Sequence, residues 1–291
     1  MSLTRFDYYA PGNVEEACKL LTEKGDGTMI MAGGTDLLIK IQRGLLKTKA
    51  IVDLQKIESI RDITFKKGEG LFIGAMARLT DVANHPVINE KYPAVAEAAA
   101  ATANVQIRNM GTVVGNLCNA APSADNAPVL MAMGAVATLV SLNGERQVPL
   151  GDFFQGPGLT AIKKGEVLTS VFVPIPPAGS GASFQHLSAR GKVDISAVCV
   201  GAMLSMKGKS CQTARIVLGA VAPVPMRALK AEKVVEGNSI SKVLLERAGV
   251  EASKECKPIS DVRASAEYRK ILVGVLTARA IDEASNRAAE K

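Results

Sequence analysis

Met29-Ile30-Met31-Ala32-Gly33-Gly34-Thr35-Asp36-Leu37 is the stretch on which the reading of this chain turns. A short apolar, strand-like run ends at two glycines, which admit backbone geometries closed to other residues and leave no Cβ in the way. Thr35 is then expected to cap a short helix, with Leu37, Leu38, Ile41 and Leu45 forming its apolar stripe. Strand, glycine turn and helix start gather unpaired N–H groups at one point, which attracts an anion; the helix dipole adds on the order of 0.3–1 kcal/mol. Two readings stand for such a turn: an anion-binding corner, or a tight connection that binds nothing. Neither a GxGxxG fingerprint nor a GxxxxGK[ST] loop is present.

A second glycine-containing segment follows about eighty residues later, at Gly111-Thr112-Val113-Val114-Gly115-Asn116-Leu117-Cys118-Asn119-Ala120-Ala121-Pro122-Ser123-Ala124-Asp125. Ala94–Ala103 before it is alanine-rich and reads as a helix, broken at Arg108-Asn109-Met110-Gly111. Thr112-Val113-Val114 is short and β-branched, and the eleven residues from Gly115 to Asp125 show no regular period. The expectation is a long polar loop, and long structureless loops within a domain are commonly functional. Asn116, Ser123 and Asp125 can bind sugar hydroxyls, and amides near Gly115 can bind phosphate. The alternative is an Asx-rich loop that caps its own backbone.

The 291 residues suffice for two domains, and 47% hydrophobic with 22% charged residues is ordinary for a globular chain. No apolar run approaches the ~20 residues of a membrane span, and no signal-peptide core is seen, so a cytoplasmic location is expected. The five cysteines are widely spaced with no CxxC pair, which excludes a zinc or cysteine-ligated iron–sulfur site; two histidines are too few for a His-based metal centre. The net charge of +7 suits an acidic partner or a dinucleotide. Nucleic-acid binding is not expected, because the lysines are scattered and no groove-reading motif is present.

The pattern divides the chain. Phe6–Pro11, Met29–Met31 and Ala50–Leu54 read as strands around a helix at Val14–Leu21 and the short helix after Gly34, giving a β-α-β-α-β unit over residues 1–55. A second α+β unit, residues 56–176, has strands near Gly70–Gly74, Val136–Leu142 and Val167–Val173. Pro174, Pro176, Pro177 and Gly179-Ser180-Gly181 read as a linker to a second domain, residues 180–291. There Ala182–Leu187, Ala197–Met206 and Thr213–Leu218 suggest an antiparallel sheet, with helices near Ser241–Ala252 and Glu267–Ala288. In the last helix Tyr268, Ile271, Leu272, Val275, Leu276 and Ile281 are expected to face the core.

Four motifs in order carry a resemblance: AGGTDLL (Ala32–Leu38), IRNMGTVVGNLCNAAPSADNAP (Ile107–Pro128), LSARGKVDISAV (Leu187–Val198) and DVRASAEYRKILVGVL (Asp261–Leu276). They are similar to the signature regions of the FAD-binding (medium) subunit of the molybdenum hydroxylases, the xanthine dehydrogenase and carbon monoxide dehydrogenase family. The resemblance runs from Phe6 to about Ala280. It implies an α+β architecture: a two-part FAD-binding domain of the vanillyl-alcohol-oxidase-like (PCMH) type, followed by a C-terminal antiparallel sheet with helices.

By the same resemblance, Met31, Ala32, Gly33, Gly34, Thr35, Asp36 and Leu37, with Gly111, Thr112, Gly115 and Asn116, match segments that wrap the FAD pyrophosphate. Asp125 matches a position on the ribose or adenosine side, with Ser123 close by. Thr102 and Val105 match a stretch beside the cofactor, Ile195 a residue beside the flavin ring, and Leu168 falls near a cofactor-contacting strand. His186 matches a position commonly lysine, so the charge near the flavin is in question. Val114 stands where the family more often has glycine, and its bulk is expected to hold the backbone further from the cofactor.

The implied activity is electron relay by an oxidoreductase subunit. An iron–sulfur small subunit and a molybdopterin-bearing large subunit are the implied partners, with NAD⁺ or another acceptor taking electrons from FAD. No catalytic side chain is expected, since the flavin carries the chemistry; Arg108, Asn109 and Arg190 are candidate organisers of the site. Two other readings are a stand-alone FAD-dependent reductase of the UDP-N-acetylenolpyruvoylglucosamine reductase type, and a scaffold subunit that has lost FAD.

Overall fold

In a computed structural model, which describes residues 5–191 and 194–290, the chain builds three main sheets in succession. Lys192 and Val193 of the third motif lie outside the described residues. The first sheet is parallel, in the order Asp7–Tyr9, Ala50–Asp53, Thr28–Met31. Ala50–Asp53 is buried along its whole length, as a central parallel strand should be. The helix Val14–Lys24 covers this sheet; Asn13 caps it by accepting from the Glu16 amide at 2.8 Å, and Gly25, at φ 64°, ends it.

The second sheet is antiparallel, in the order Ile63–Lys66, Gly70–Gly74, Val167–Pro174, Val136–Ser141, Gly144–Pro149. Between its strands the chain runs through the helices Leu79–Asn84, Pro86–Lys91 and Pro93–Ala101, then Val105–Arg108, Val113–Asn119 and Asn126–Ala132. Proline at the first helical position starts two of them, where its missing N–H costs nothing. The alanine-rich helix stops at Ala101, earlier than expected, because Ala103 takes a left-handed φ of 50°.

The connection to the last sheet is shorter than the expected linker: Val167–Pro174 ends and Ser180–Ser188 begins with only residues 175–179 between them. Ser180 and Gly181 are strand residues, since Gly181 must lie flush beneath a helix: a Cβ there would stand 2.0 Å from the Ala284 carbonyl oxygen. The last sheet orders Ser180–Ser188, Ser196–Lys207, Ser210–Gly219 and Met226–Arg227, all antiparallel.

Strand alternation divides the interior. Val198, Val200, Ala202 and Leu204 face a core made with the helices Leu229–Val235, Lys242–Glu255 and Ala266–Ala289. Cys199 faces the first core, and a Cβ on Gly201 would lie 2.5 Å from the Val129 amide nitrogen, so the helix Asn126–Ala132 rests on the sheet backbone to backbone. On the last helix the buried stripe is Leu272, Val273, Leu276, Ala280, Ile281 and Ala284. Tyr268, Ile271 and Val275 are exposed, contrary to the sequence pattern, because small Ala and Gly positions set the contact line: Gly249 and Gly274 meet where the two long helices cross.

Candidate cofactor site

The two glycine segments touch. A Cβ on Gly33 would stand 2.0 Å from the Met110 carbonyl oxygen, so only glycine admits this approach. Alongside, the position of a Gly111 Cβ is 3.4 Å from Thr35 Oγ1, and that of a Gly115 Cβ is 4.0 Å from Ala32. Three residue pairs thus align the segments side by side. Gly34, at φ 72°, makes the turn out of the strand Thr28–Met31.

Two local expectations are corrected. The residue at the helix N-cap is Asp36, not Thr35, and it makes no side-chain capping bond; the helix Leu37–Gln42 ends before Leu45, which is 74% exposed. The first five of the eleven loop residues, Gly115–Asn119, belong to a helix, Val113–Asn119, whose cap is Thr112: its hydroxyl accepts from the Gly115 amide at 2.8 Å. A threonine cap outweighs the β-branched pair behind it, and the irregular segment shrinks to residues 120–125. Val114 is helical and 3% exposed, its side chain in the core, so it does not stand between the backbone and a ligand.

What the segments offer is backbone donors. The amides of Gly33, Gly34, Thr35 and Asp36 have no acceptor among the described residues, and neither do those of Thr112 and Val114. Both helices are short, so the dipole adds little and the amides themselves carry the attraction. Beside them Ala32, Gly33, Gln55, Arg61, Met76, Arg78 and Met110 line a hollow of about 210 Å³. That is less than the roughly 300–1,000 Å³ of an enclosing small-molecule pocket.

Side chains lock this rim. Lys40 Nζ donates to Asn119 Oδ1 at 2.5 Å, and Asn119 Nδ2 donates to Asp36 Oδ1 at 3.1 Å, tying the two short helices together. Asn126 Nδ2 donates to Asn116 Oδ1 at 3.1 Å and to Thr102 Oγ1 at 3.0 Å. Arg108 Nη1 donates to the carbonyls of Thr102 and Ala103, at 3.1 and 2.7 Å, holding the left-handed corner. Asn109 accepts from Thr80 at 2.7 Å and is exposed.

A second cluster joins the C-terminal sheet to the rim. Asp125 is 6% exposed; burial pushes its carboxyl up to about 6, opposed by hydrogen bonds from Ser196 and Cys199. Ser196 Oγ donates to Asp125 Oδ1 at 2.6 Å and lies 3.5 Å from His186 Nδ1. The His186 ring stacks on Phe184 at 5.5 Å, and partial burial lowers its pKa, which favours the neutral imidazole. Arg190 pairs with Asp194 at 2.7 Å and holds that carboxyl at about 2. Ile195, next to this pair, is 44% exposed.

The structure thus brings Met31–Leu37, Gly111–Asn116, Thr102, Asp125 and His186 into two linked clusters. Ser123 is partly exposed in the short loop before Asp125, and Val105 is 55% exposed on its own helix. Leu168 is not joined to them: its side chain is 3% exposed within the first core. Sequence reasoning missed Asn126, Ser196, Lys40 and Asn119. Asn126 had a signal, a polar residue opening an otherwise apolar helix; the others are visible only once the segments are apposed.

The two apposed turns leave amides free for an anion, and the helix Asn126–Ala132 that follows them packs on the antiparallel C-terminal sheet. Residues 4–176 match the family described as the FAD binding domain in molybdopterin dehydrogenase, and residues 182–284 match the CO dehydrogenase flavoprotein C-terminal domain. This chain belongs to the FAD-binding medium subunits of the molybdenum hydroxylases, an oxidoreductase family, and FAD is its cofactor. It is 35% identical over 283 residues to the carbon monoxide dehydrogenase medium chain of Afipia carboxidovorans, covering 97% of this chain and 98% of that one. To the putative xanthine dehydrogenase FAD-binding subunit of Escherichia coli K12 it is 30% identical over 278 residues, covering 95% of each. Carbon monoxide dehydrogenase from Hydrogenophaga pseudoflava superposes with a TM-score of 0.94 at 31% identity, covering 99% of both chains. Quinoline 2-oxidoreductase from Pseudomonas putida 86 gives 0.92, also at 31% identity and 99% coverage.

Among the described residues no group of side chains could hold a metal ion, and all five cysteines are free thiols. Among the described residues no helix is long and apolar enough to cross a membrane.

Proposed function

We propose that this chain is the electron-relay subunit of a molybdenum hydroxylase, with FAD receiving electrons from an iron–sulfur small subunit. A molybdopterin-bearing large subunit would oxidise the substrate, and NAD⁺ or another acceptor would take the electrons. The observation that carries this is the apposition of two rims of free amides at Gly33–Asp36 and Thr112–Val114. The relatives' names as medium chains support a multi-subunit assembly. When bound, FAD supplies the exchange between single-electron and two-electron transfer.

The chain's own residues bind, orient and shield. The amides of Gly33, Gly34, Thr35 and Asp36, with those of Thr112 and Val114, would hold the pyrophosphate, and Met31, Ala32, Leu37, Gly111 and Gly115 shape the backbone around it. Asn116, Thr102, Val105 and Ser123 would line the path of the cofactor. Asp125 would meet the ribose or adenosine side, Ile195 would cover the ring, and neutral His186 would leave the flavin without the cation that a lysine supplies. We place domains at 1–176, subdivided at 55, and at 180–291; one core draws mainly on residues 17–173, with Phe184 and Cys199 added, and a second on residues 197–284. Free thiols suit a reducing cytoplasm.

The test is a visible absorption spectrum of the purified chain after incubation with FAD and desalting. A retained two-banded flavin spectrum is expected; a folded, colourless chain overturns the proposal that these residues suffice to hold FAD. Copurification with two further subunits, one containing molybdenum, distinguishes the relay from a reductase acting alone.

A further inference from the structure

Asn126 opens the helix Asn126–Ala132 and is 1% exposed. An apolar residue would fill such a place at less cost, because the Asn126 Oδ1 is buried with no partner among the described residues. The other end of the amide explains why it is there. The Thr102 hydroxyl donates its only proton to the Ala98 carbonyl at 2.9 Å, so toward Asn126 it can only accept. Thr102 therefore fixes the orientation of the Asn126 amide, with its NH₂ facing both Thr102 Oγ1 and Asn116 Oδ1. Asn116 in turn must present its oxygen inward. Its own NH₂ is left facing away from that contact, and nothing among the described residues accepts from it.

We infer that Asn126 is a positioning residue of the cofactor site: it holds the Asn116 amide with the NH₂ turned toward an oxygen of the cofactor's diphosphate or sugar. The polarity runs from Thr102 through Asn126 to Asn116, so a donor is presented where an anionic or hydroxylic ligand needs one. Only a neutral group with two protons can serve both acceptors; a carboxylate has none to give, and an apolar residue leaves the Asn116 amide free to turn over. This inference rests on the proposed role of Asn116 as a cofactor contact.

The test compares FAD affinity, by flavin fluorescence titration of the full chain, in wild type, Asn116→Ala, Asn126→Ala and the double variant, alongside thermal melts of each without FAD. Each single substitution is expected to weaken FAD binding by about tenfold, the loss of one useful hydrogen bond. The double variant is expected to be no weaker than either single one, because both remove the same contact. Asn126→Asp keeps the shape and removes donors, so it should match Asn126→Ala and carries the test if the alanine variant does not fold. Wild-type affinity in both Asn126 variants, or losses that multiply to about a hundredfold in the double variant, would overturn the inference. A melting temperature lowered with FAD affinity unchanged would likewise reduce Asn126 to a packing role. If Asn116→Ala binds FAD as tightly as wild type, the reading of Asn116 falls first, and the inference with it.

Discussion

Gly33 and Met110 are in backbone contact: a Cβ on the glycine would stand 2.0 Å from the methionine's carbonyl oxygen. The apposition of the two cofactor segments depends on this absence of a side chain. Gly33→Ala must push the segments apart, at a cost of about 1–3 kcal/mol, and should weaken FAD binding by at least about tenfold. Gly12→Ala, with only a Glu16 side-chain oxygen at 4.0 Å, should leave affinity unchanged in the same titration.

Val114→Gly, which restores the residue more usual in the family, is expected to harm the chain. Val114 is buried within the helix Val113–Asn119, so the change leaves a cavity and loosens a helix, together about 2–3 kcal/mol. The melting temperature should fall, with no gain in FAD affinity; a tighter complex would show that Val114 does obstruct the cofactor.

Asp125 predicts a pH dependence. Burial raises its pKa from 3.8 to about 6, so the folded chain binds this proton more tightly than the unfolded chain. The contribution of Asp125 to stability is therefore greatest below pH 3.8 and declines as the pH rises through about 6, after which it is constant. Asp125→Asn removes that decline. Its stability advantage over wild type, read from denaturant midpoints, should widen on the order of 1 kcal/mol between about pH 5 and pH 7 and then stay level. His186 is present in both chains, so its own titration largely cancels in the difference. A gap independent of pH would mean Asp125 ionises as an exposed carboxylate does.

Arg287, on the last helix, joins the two halves of the chain. It donates to Glu97 at 3.1 Å and again through Nη2, to Glu283 at 2.6 Å, and to the Ala182 carbonyl at 2.9 Å. Glu97 and Glu283 side chains are 39% and 33% exposed, so water softens their loss of a partner. Arg287→Met should cost about 1–2 kcal/mol, or roughly 2–4 °C in melting temperature per kcal/mol. Glu97→Gln should cost less, since the neutral amide still accepts from the guanidinium.

The strands and long helices were legible because their signals are local. Ser241 and Ser265 cap helices close to where the apolar periodicity begins, and the sheet strands follow their β-branched runs. The glycine segments were legible as candidates for the same reason. What could not be read were consequences of apposition. Thr35 looks like a cap, yet Asp36 occupies that place. Residues 113–119 look irregular because their helix is secured by the Thr112 cap and by core contacts of Val113, Val114 and Leu117, not by propensity. Tyr268, Ile271 and Val275 share an apolar spacing with the true core stripe, and only the close Gly249–Gly274 crossing selects between the two faces. The hydrogen bonds of Asn126 and Ser196 join partners 10 to 71 residues away, beyond any local pattern.

The contact of Gly201 with the Pro128–Val129 backbone has a mechanical consequence. At this point no side chain lies between the helix and the sheet, so this contact cannot loosen by a rotamer change. It opens by separating main chain from main chain, or not at all. The two clusters of the cofactor site sit on either side of this joint, so its stiffness fixes the spacing between them, and Gly201→Ala should disturb both clusters together although it touches neither.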